Sequence, residues 1–143
     1  MGKKLMGKKL IEVTTYEFER NFDEDGEFVI VRLFDSFGNE VAGRNAFCDG
    51  DFDCSGRRLR SLEGCPVVIY GSFNCENNFL KDLKGALMVV NGSFMCSSNL
   101  LTSLEGLPGV INGNLYCYNN QLKNIDLNIP QVSGFIQSNS YNK

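Results

Sequence analysis

Histidine is absent from all 143 residues, and that absence removes more chemistry than any residue present supplies. Ser–His and Cys–His nucleophile activation cannot be assembled within the chain, nor can the commonest zinc sites, which draw on imidazole. No apolar run approaches the roughly 18 residues that a membrane-spanning helix requires. The opening MGKKLMGKKL is basic, but polar IEVTTYEFER follows where a secretory signal places its apolar stretch. Met6 stands where an N-myristoylation pattern needs Ser or Thr. These absences lead to the expectation of a cytoplasmic protein with no membrane partner. The net charge of −3 and a pI near 5.0 leave no basic stripe for a phosphate backbone, so no nucleic-acid partner is expected either. Tryptophan is missing too, and three prolines stand against fifteen glycines, which points to many tight backbone turns. The tandem MGKKL reads as an alternative start at Met6 or a cloning remnant.

The composition is that of a soluble globular chain, 43% hydrophobic and 22% charged, long enough to bury a core. Its organisation appears when the chain is cut before a Gly-x-(Phe/Leu)-x-Cys motif. The blocks are GDFDCSGRRLRSLEGCPVVIY from Gly50, GSFNCENNFLKDLKGALMVVN from Gly71 and GSFMCSSNLLTSLEGLPGVIN from Gly92. GNLYCYNNQLKNIDLNIPQVS from Gly113 and a stub, GFIQSNSYNK, from Gly134 complete the series. Successive glycines lie 21 apart (71−50, 92−71, 113−92, 134−113) with no insertion. Such a period is the mark of a solenoid, in which each block buries its apolar edge only by stacking on its neighbours.

Each column has a physical role. Phe52, Phe73, Phe94, Leu115 and Ile136 hold the third position, and Cys54, Cys75, Cys96, Cys117 and Ser138 the fifth. They alternate with polar residues, the period-two pattern of a short strand with one buried face. Asn78, Asn99 and Asn120 follow, with Arg57 in the first block. A buried Asn donates and accepts at once, so a stacked column of them satisfies the backbone where the chain leaves the strand. Leu59, Leu80, Leu101 and Leu122 come next, then Leu62, Leu83, Leu104 and Ile125. The return limb carries Val68–Ile69, Val89–Val90 and Val110–Ile111, with Val132 alone in the last block. This limb is too short and too rich in Gly and Pro for a proper helix, so turns, polyproline-like or 3₁₀ pieces are expected there.

The string (F/L)-x-C-x-x-N-x-L-x-x-(L/I) resembles the leucine-rich-repeat core motif, with Phe and Cys at sites usually held by Leu or Val. Its G-x-F-x-C-x-x-N-x-L-T-S-L-E-G-x-P variant, nearest in the run Phe94 to Val110, is similar to short repeats of many tailed-phage and bacterial proteins. The resemblance spans residues 50–140, 91 of the 143. It implies a right-handed coil, mainly β, with a short parallel sheet on one face and an irregular or 3₁₀ convex side. It also implies a non-enzymatic protein-binding role, since members of the family mostly bind proteins. Arg57 and the segment Asp126-Leu127-Asn128-Ile129-Pro130 depart from the pattern, as terminal repeats do.

Residues 1–49 read as a β-rich cap, with residues 1–10 expected to lack fixed structure, and residues 50–143 as the array. Ile11 to Phe18 and Phe28 to Phe34 are strand candidates around an acidic turn at Asp23-Glu24-Asp25-Gly26, with a second turn at Asp35-Ser36-Phe37-Gly38-Asn39. A hairpin here would cover the edge of the first repeat. One period back from the array, Val31, Leu33, Phe47 and Cys48 fall in apolar columns, which leaves room for a degenerate extra repeat.

Six cysteines invite a metal or disulfide reading. Four of them share one repeat column and no C-x-x-C spacing exists, so core packing is the simpler account. Asp49, Asp51 and Asp53 imitate the start of a calcium loop, but Cys54 and Arg60 stand where that loop needs Gly and Glu. No cofactor and no catalytic constellation is expected.

The strand alternation places Asp51, Asp53 and Ser55 on the surface, then Ser72, Asn74 and Glu76, then Ser93, Met95 and Ser97. Asn114, Tyr116 and Tyr118 follow, then Phe135, Gln137 and Asn139. The face runs from acidic to aromatic. Asp51, Asp53, Asn74, Glu76, Met95, Tyr116, Tyr118 and Phe135 are therefore the candidate partner-binding residues, the acidic group steering and the aromatic group anchoring a protein partner. The competing expectation is a structural or self-assembling protein, virion-associated or homo-oligomeric through the C-terminal edge.

Overall fold

The computed structural model describes residues 2–138 apart from Met6, Ala86, Asn124, Ile125 and Leu127. The column position assigned above to Ile125, the Leu127 departure and surface residue Asn139 lie outside the described residues. The cap contains β1 (Gly2–Leu5), β2 (Lys8–Val13), β3 (Thr15–Asp23), β4 (Gly26–Phe34), β5 (Glu40–Val41), a 3₁₀ turn (Gly43–Asn45) and β6 (Ala46–Cys48). The array adds β7 (Phe52–Asp53), β8 (Val68–Ile69), β9 (Phe73–Asn74), β10 (Val89–Val90), β11 (Phe94–Met95), β12 (Val110–Ile111), β13 (Leu115–Cys117) and β14 (Ile136–Ser138). The protein is a mainly β repeat solenoid of about four turns.

Each turn contributes two short strands. The first builds a front sheet in the order β14-β13-β11-β9-β7, all parallel. Phe52, Phe73, Phe94, Leu115 and Ile136 stand in register within it. The second strand builds a back sheet, β1-β2-β6-β8-β10-β12, prolonged by a bridge from Ile111 to Val132. The return limb therefore carries a parallel sheet of its own, in addition to the front sheet that the alternation predicted. Its strands are the adjacent apolar pairs Val68–Ile69, Val89–Val90 and Val110–Ile111, which lack the alternation around the front strands, so the second sheet was not foreseen.

The core lies between the sheets. Phe52, Phe73 and Phe94 are fully buried and stack ring on ring, with centroids 5.8 and 5.3 Å apart. Burying a side chain of this size stabilises the fold by about 1.5–3 kcal/mol. Cys54, Cys75, Cys96 and Cys117 form the adjacent column, each with no exposed surface. The glycine that opens each block sits where consecutive coils touch through their backbones. Gly71, Gly92, Gly113 and Gly134 each donate an N–H to the preceding glycine's carbonyl at 3.0, 2.8, 2.8 and 2.8 Å. A Cβ on Gly113 would stand 2.6 Å from the Gly92 carbonyl carbon, so no larger residue fits without moving the coil.

The asparagine column does what its chemistry predicts. Asn99 Oδ1 accepts the Leu80 N–H, and its amide donates to the carbonyls of Cys75, Cys96 and Ser97 at 3.0, 3.2 and 3.3 Å. Asn78 and Asn120 repeat the pattern, each reaching a carbonyl 24 residues back. For Arg57 that carbonyl would belong to Leu33 (57−24), which lies in β4 rather than in a preceding coil. An Asn there would have no ladder to join. Arg57 instead lays its guanidinium over the Phe18 ring at 4.4 Å.

The cap closes the first coil. β3, β4 and β5 form an antiparallel sheet around the expected acidic turn. Tyr16 continues the aromatic stack onto Phe52 at 4.2 Å, and its hydroxyl accepts the Asp53 N–H, which would otherwise face a missing strand. Arg58 pairs with Glu27 and Arg60 with Asp23, so charged side chains fasten the hairpin to the coil. The degenerate extra repeat exists in half. Phe47 and Cys48 pair with Val68 and Ile69 one period on, whereas Val31 pairs with Phe18 in the hairpin.

Of residues 1–10, expected to lack fixed structure, residues 2–5 and 8–10 lie in β1 and β2. The two MGKKL copies pair antiparallel, Lys3 with Leu10 and Lys4 with Lys9. Leu10 is buried in a small cluster with Phe47, Val67 and Val68, and this apolar anchor orders a segment that composition alone would leave loose.

Candidate functional site: the face of the front sheet

The front sheet brings the predicted residues onto one face, divided into two groups. Met95 pairs with Asn74 on one side and Tyr116 on the other, and Tyr116 with Gln137. Phe135 sits edge-on to Tyr116 with centroids 5.7 Å apart and is 57% exposed. The Tyr116 hydroxyl accepts a hydrogen bond from the Asn114 amide at 3.3 Å, which fixes the ring. Tyr118 is exposed just beyond, its N–H donated to the Ser97 hydroxyl. Asp51 and Asp53 belong to the far end of the sheet. Three strand spacings of about 4.8 Å put Asp53 roughly 14 Å from Tyr116.

Several of these side chains have structural duties that the sequence did not reveal. Asp51 Oδ1 accepts the Ser72 N–H at 2.7 Å. The Ser72, Ser93 and Asn114 side-chain oxygens accept the next coil's N–H in the same way, each at 3.0 Å. The second column is thus a second polar ladder. Its signal in the sequence was the run Asp, Ser, Ser, Asn, all short side chains that reach a neighbouring backbone. Asp53 Oδ1 accepts from the Ser55 N–H and hydroxyl, and Asn74 Oδ1 from the Glu76 N–H. Ser97, expected on the surface, is buried, because its hydroxyl serves Tyr118 and the Glu76 carboxyl. Burial pushes the Glu76 carboxyl above its ordinary value against the pull of that Ser97 bond, and the Asp53 charge one coil away adds to the rise.

The cysteines lie behind this face, all six free and buried. Burial pushes the Cys75 and Cys96 thiols far up and the Cys117 thiol to about 11, so the thiolate is disfavoured throughout the column. Clefts occur along the seam between cap and array. One, of about 640 Å³, is lined by Val31, Glu40, Val41, Arg44, Glu63 and Lys84. Among the described residues, no helix is long and apolar enough to cross a membrane, and no cluster of His, Cys, Asp and Glu has the arrangement of a metal site. No family model, curated protein or solved structure matches the chain.

Proposed function

We propose that the protein is a non-enzymatic protein-binding module that acts in the cytoplasm through the front-sheet face. The observation that carries this reading is the aromatic group Met95, Tyr116, Tyr118 and Phe135, ordered by the Asn114 bond and the Tyr116–Phe135 contact yet left open to solvent. Rigid, half-exposed aromatics of this kind supply most of the energy in protein interfaces. Asp53 and Glu76 carry negative charge on the same face, which suits a partner that is basic opposite the first coils. The resemblance of the repeats to those of phage proteins adds the proposal that the partner is a host or defence protein and that binding occludes it.

The face is small. Five strands at about 4.8 Å and five residues at about 3.3 Å give roughly 400 Å², half of what one partner usually contributes to a stable interface. Micromolar affinity is therefore the expectation for a single copy. The test is capture of a partner from host lysate followed by calorimetry. Tyr116→Ala/Tyr118→Ala should weaken binding at least about 30-fold, the equivalent of 2 kcal/mol. Equal capture by the double variant would show that the partner uses another surface.

A further inference from the structure

We infer that the seam between the cap hairpin and the first coil holds a binding site for a phosphate monoester carried on an aromatic ring, with Arg20, Arg57 and Arg58 receiving the phosphate. This site is separate from the front-sheet face and does not depend on it.

The site is a cleft of about 320 Å³ lined by the apolar Phe18 and Val29 and by Arg20, Glu27, Arg57 and Arg58. Glu27 is the one carboxylate among these, and it serves two of the three guanidinium groups, Arg20 at 3.0 Å and Arg58 at 3.4 Å. Arg57 rests over the Phe18 ring and forms no ion pair among the described residues. Three cations against one anion leave a surplus of two positive charges, in a chain whose net charge is −3. The Arg20 and Arg58 side chains are each 66% exposed, so a ligand can reach them.

The later coils show that stacking does not require this cluster. Gly56-Arg57-Arg58 corresponds to Asn77-Asn78-Phe79, Ser98-Asn99-Leu100 and Asn119-Asn120-Gln121. Gly56 shares the left-handed backbone of its column, but Arg58 is left-handed as well, with φ of 62°, where Phe79, Leu100 and Gln121 are not. A long side chain enters that region only at a cost, and such strain is retained where it places a group for a task. The Arg58 N–H is also released from the ladder. Phe79, Leu100 and Gln121 donate theirs to carbonyls 20 residues back, each at 2.8 Å. For Arg58 that carbonyl would belong to Gly38 (58−20), in the turn before β5, and no acceptor takes its place among the described residues. The cleft thus combines guanidinium forks with a free backbone N–H, the donors that phosphate oxygens accept.

Charge and size choose the ligand. A phosphate monoester carries about −1.5 to −2 at pH 7, which matches the surplus, whereas a carboxylate or a sulfate ester would leave one cation unanswered. The volume lies at the lower end of the roughly 300–1,000 Å³ of small-ligand sites, a size suited to one ring with its phosphate. Phe18, Val29 and the Arg57 guanidinium suit the ring, since guanidinium groups stack on aromatic faces. The ester is either a free aryl phosphate or the phosphotyrosine side chain of a protein.

Calorimetry of the whole protein with phenyl phosphate tests the site. Phenyl phosphate should bind at least about tenfold tighter than phenyl sulfate, which has the same shape and one charge fewer. Arg57→Gln should weaken phenyl phosphate at least about tenfold. Arg58→Gly should do the same while leaving the thermal midpoint unchanged or higher, because glycine accepts the left-handed backbone, whereas loss of a purely fastening side chain would lower it. Arg60→Gln, which removes a guanidinium paired with Asp23 outside the cleft, should bind phenyl phosphate as the parent does, and so should Tyr116→Ala/Tyr118→Ala. A phosphotyrosine peptide at least about tenfold tighter than phenyl phosphate would assign the ester to a protein partner, and equal affinity would assign it to a free aryl phosphate. No binding of phenyl phosphate at millimolar concentration, or undiminished binding by the Arg57 and Arg58 variants, would overturn the site. Equal affinity for phenyl sulfate would overturn the choice of phosphate.

Discussion

Asn99→Ala is the sharpest test of the asparagine ladder. The side chain is 6% exposed and serves four backbone groups, accepting from Leu80 and donating to Cys75, Cys96 and Ser97. The loss is not four orphaned groups. The Cys75 carbonyl keeps the Asn78 amide, and the Cys96 carbonyl keeps the Asn120 amide. What alanine leaves bare is the buried Leu80 N–H, at a cost of about 1–3 kcal/mol, together with weakened bonding at three carbonyls. The expected destabilisation is about 2–4 kcal/mol, a large part of the 5–15 kcal/mol that holds a domain together. Asn99→Asp should cost more than alanine. It keeps the acceptor for Leu80 but turns a negatively charged oxygen toward three carbonyls in a buried site. Arg57→Ala, at the same column outside the ladder, should cost less than about 1 kcal/mol. Urea unfolding followed by circular dichroism measures all three, and the slope reports whether the coils beyond Asn99 have detached from the rest. An Asn99→Ala protein within about 0.5 kcal/mol of the parent would refute the ladder as a source of stability.

Two further outcomes follow from other columns. Gly113→Ala should destabilise by about 2 kcal/mol or more, because its methyl would meet the rigid Gly92 backbone at 2.6 Å, whereas Gly50→Ala, with open space around it, should be nearly neutral in the same urea assay. For Glu76 the sign comes from its raised value. The folded protein holds this proton more tightly than the unfolded chain, so the stability it contributes is present below the ordinary value of 4.5 and is lost as pH rises through the folded value. Glu76→Gln should accordingly raise the urea midpoint at neutral pH, and the difference from the parent should vanish near pH 4 and below.

The solenoid was legible because one period governs half a dozen columns, each tied to a distinct physical demand. Glycine marks where coils touch, Phe and Cys fill the core, and Asn bonds the corner. The corner itself uses left-handed residues at Gly56, Asn77, Ser98 and Asn119, with φ of 64°, 58°, 58° and 56°, all small or polar side chains that tolerate it. The second sheet was hidden because its strands are adjacent apolar pairs with no alternation around them. The paired MGKKL copies were hidden because their order depends on Leu10 meeting Phe47 and Val68, a contact between segments with no periodic relation.

The surface was legible only in part, for a related reason. Alternation tells which side chains leave the core, and it correctly grouped Met95, Tyr116 and Phe135. It does not tell which of those side chains bend back onto the neighbouring backbone. Asp51 and Ser97 do so, because in a parallel stack every short polar residue has an N–H of the next coil within reach. A polar column repeated in every coil is therefore more informative about stacking than about binding. Binding information has to be sought where a column changes character, as from Asp53 and Asn74 to Met95 and Tyr116.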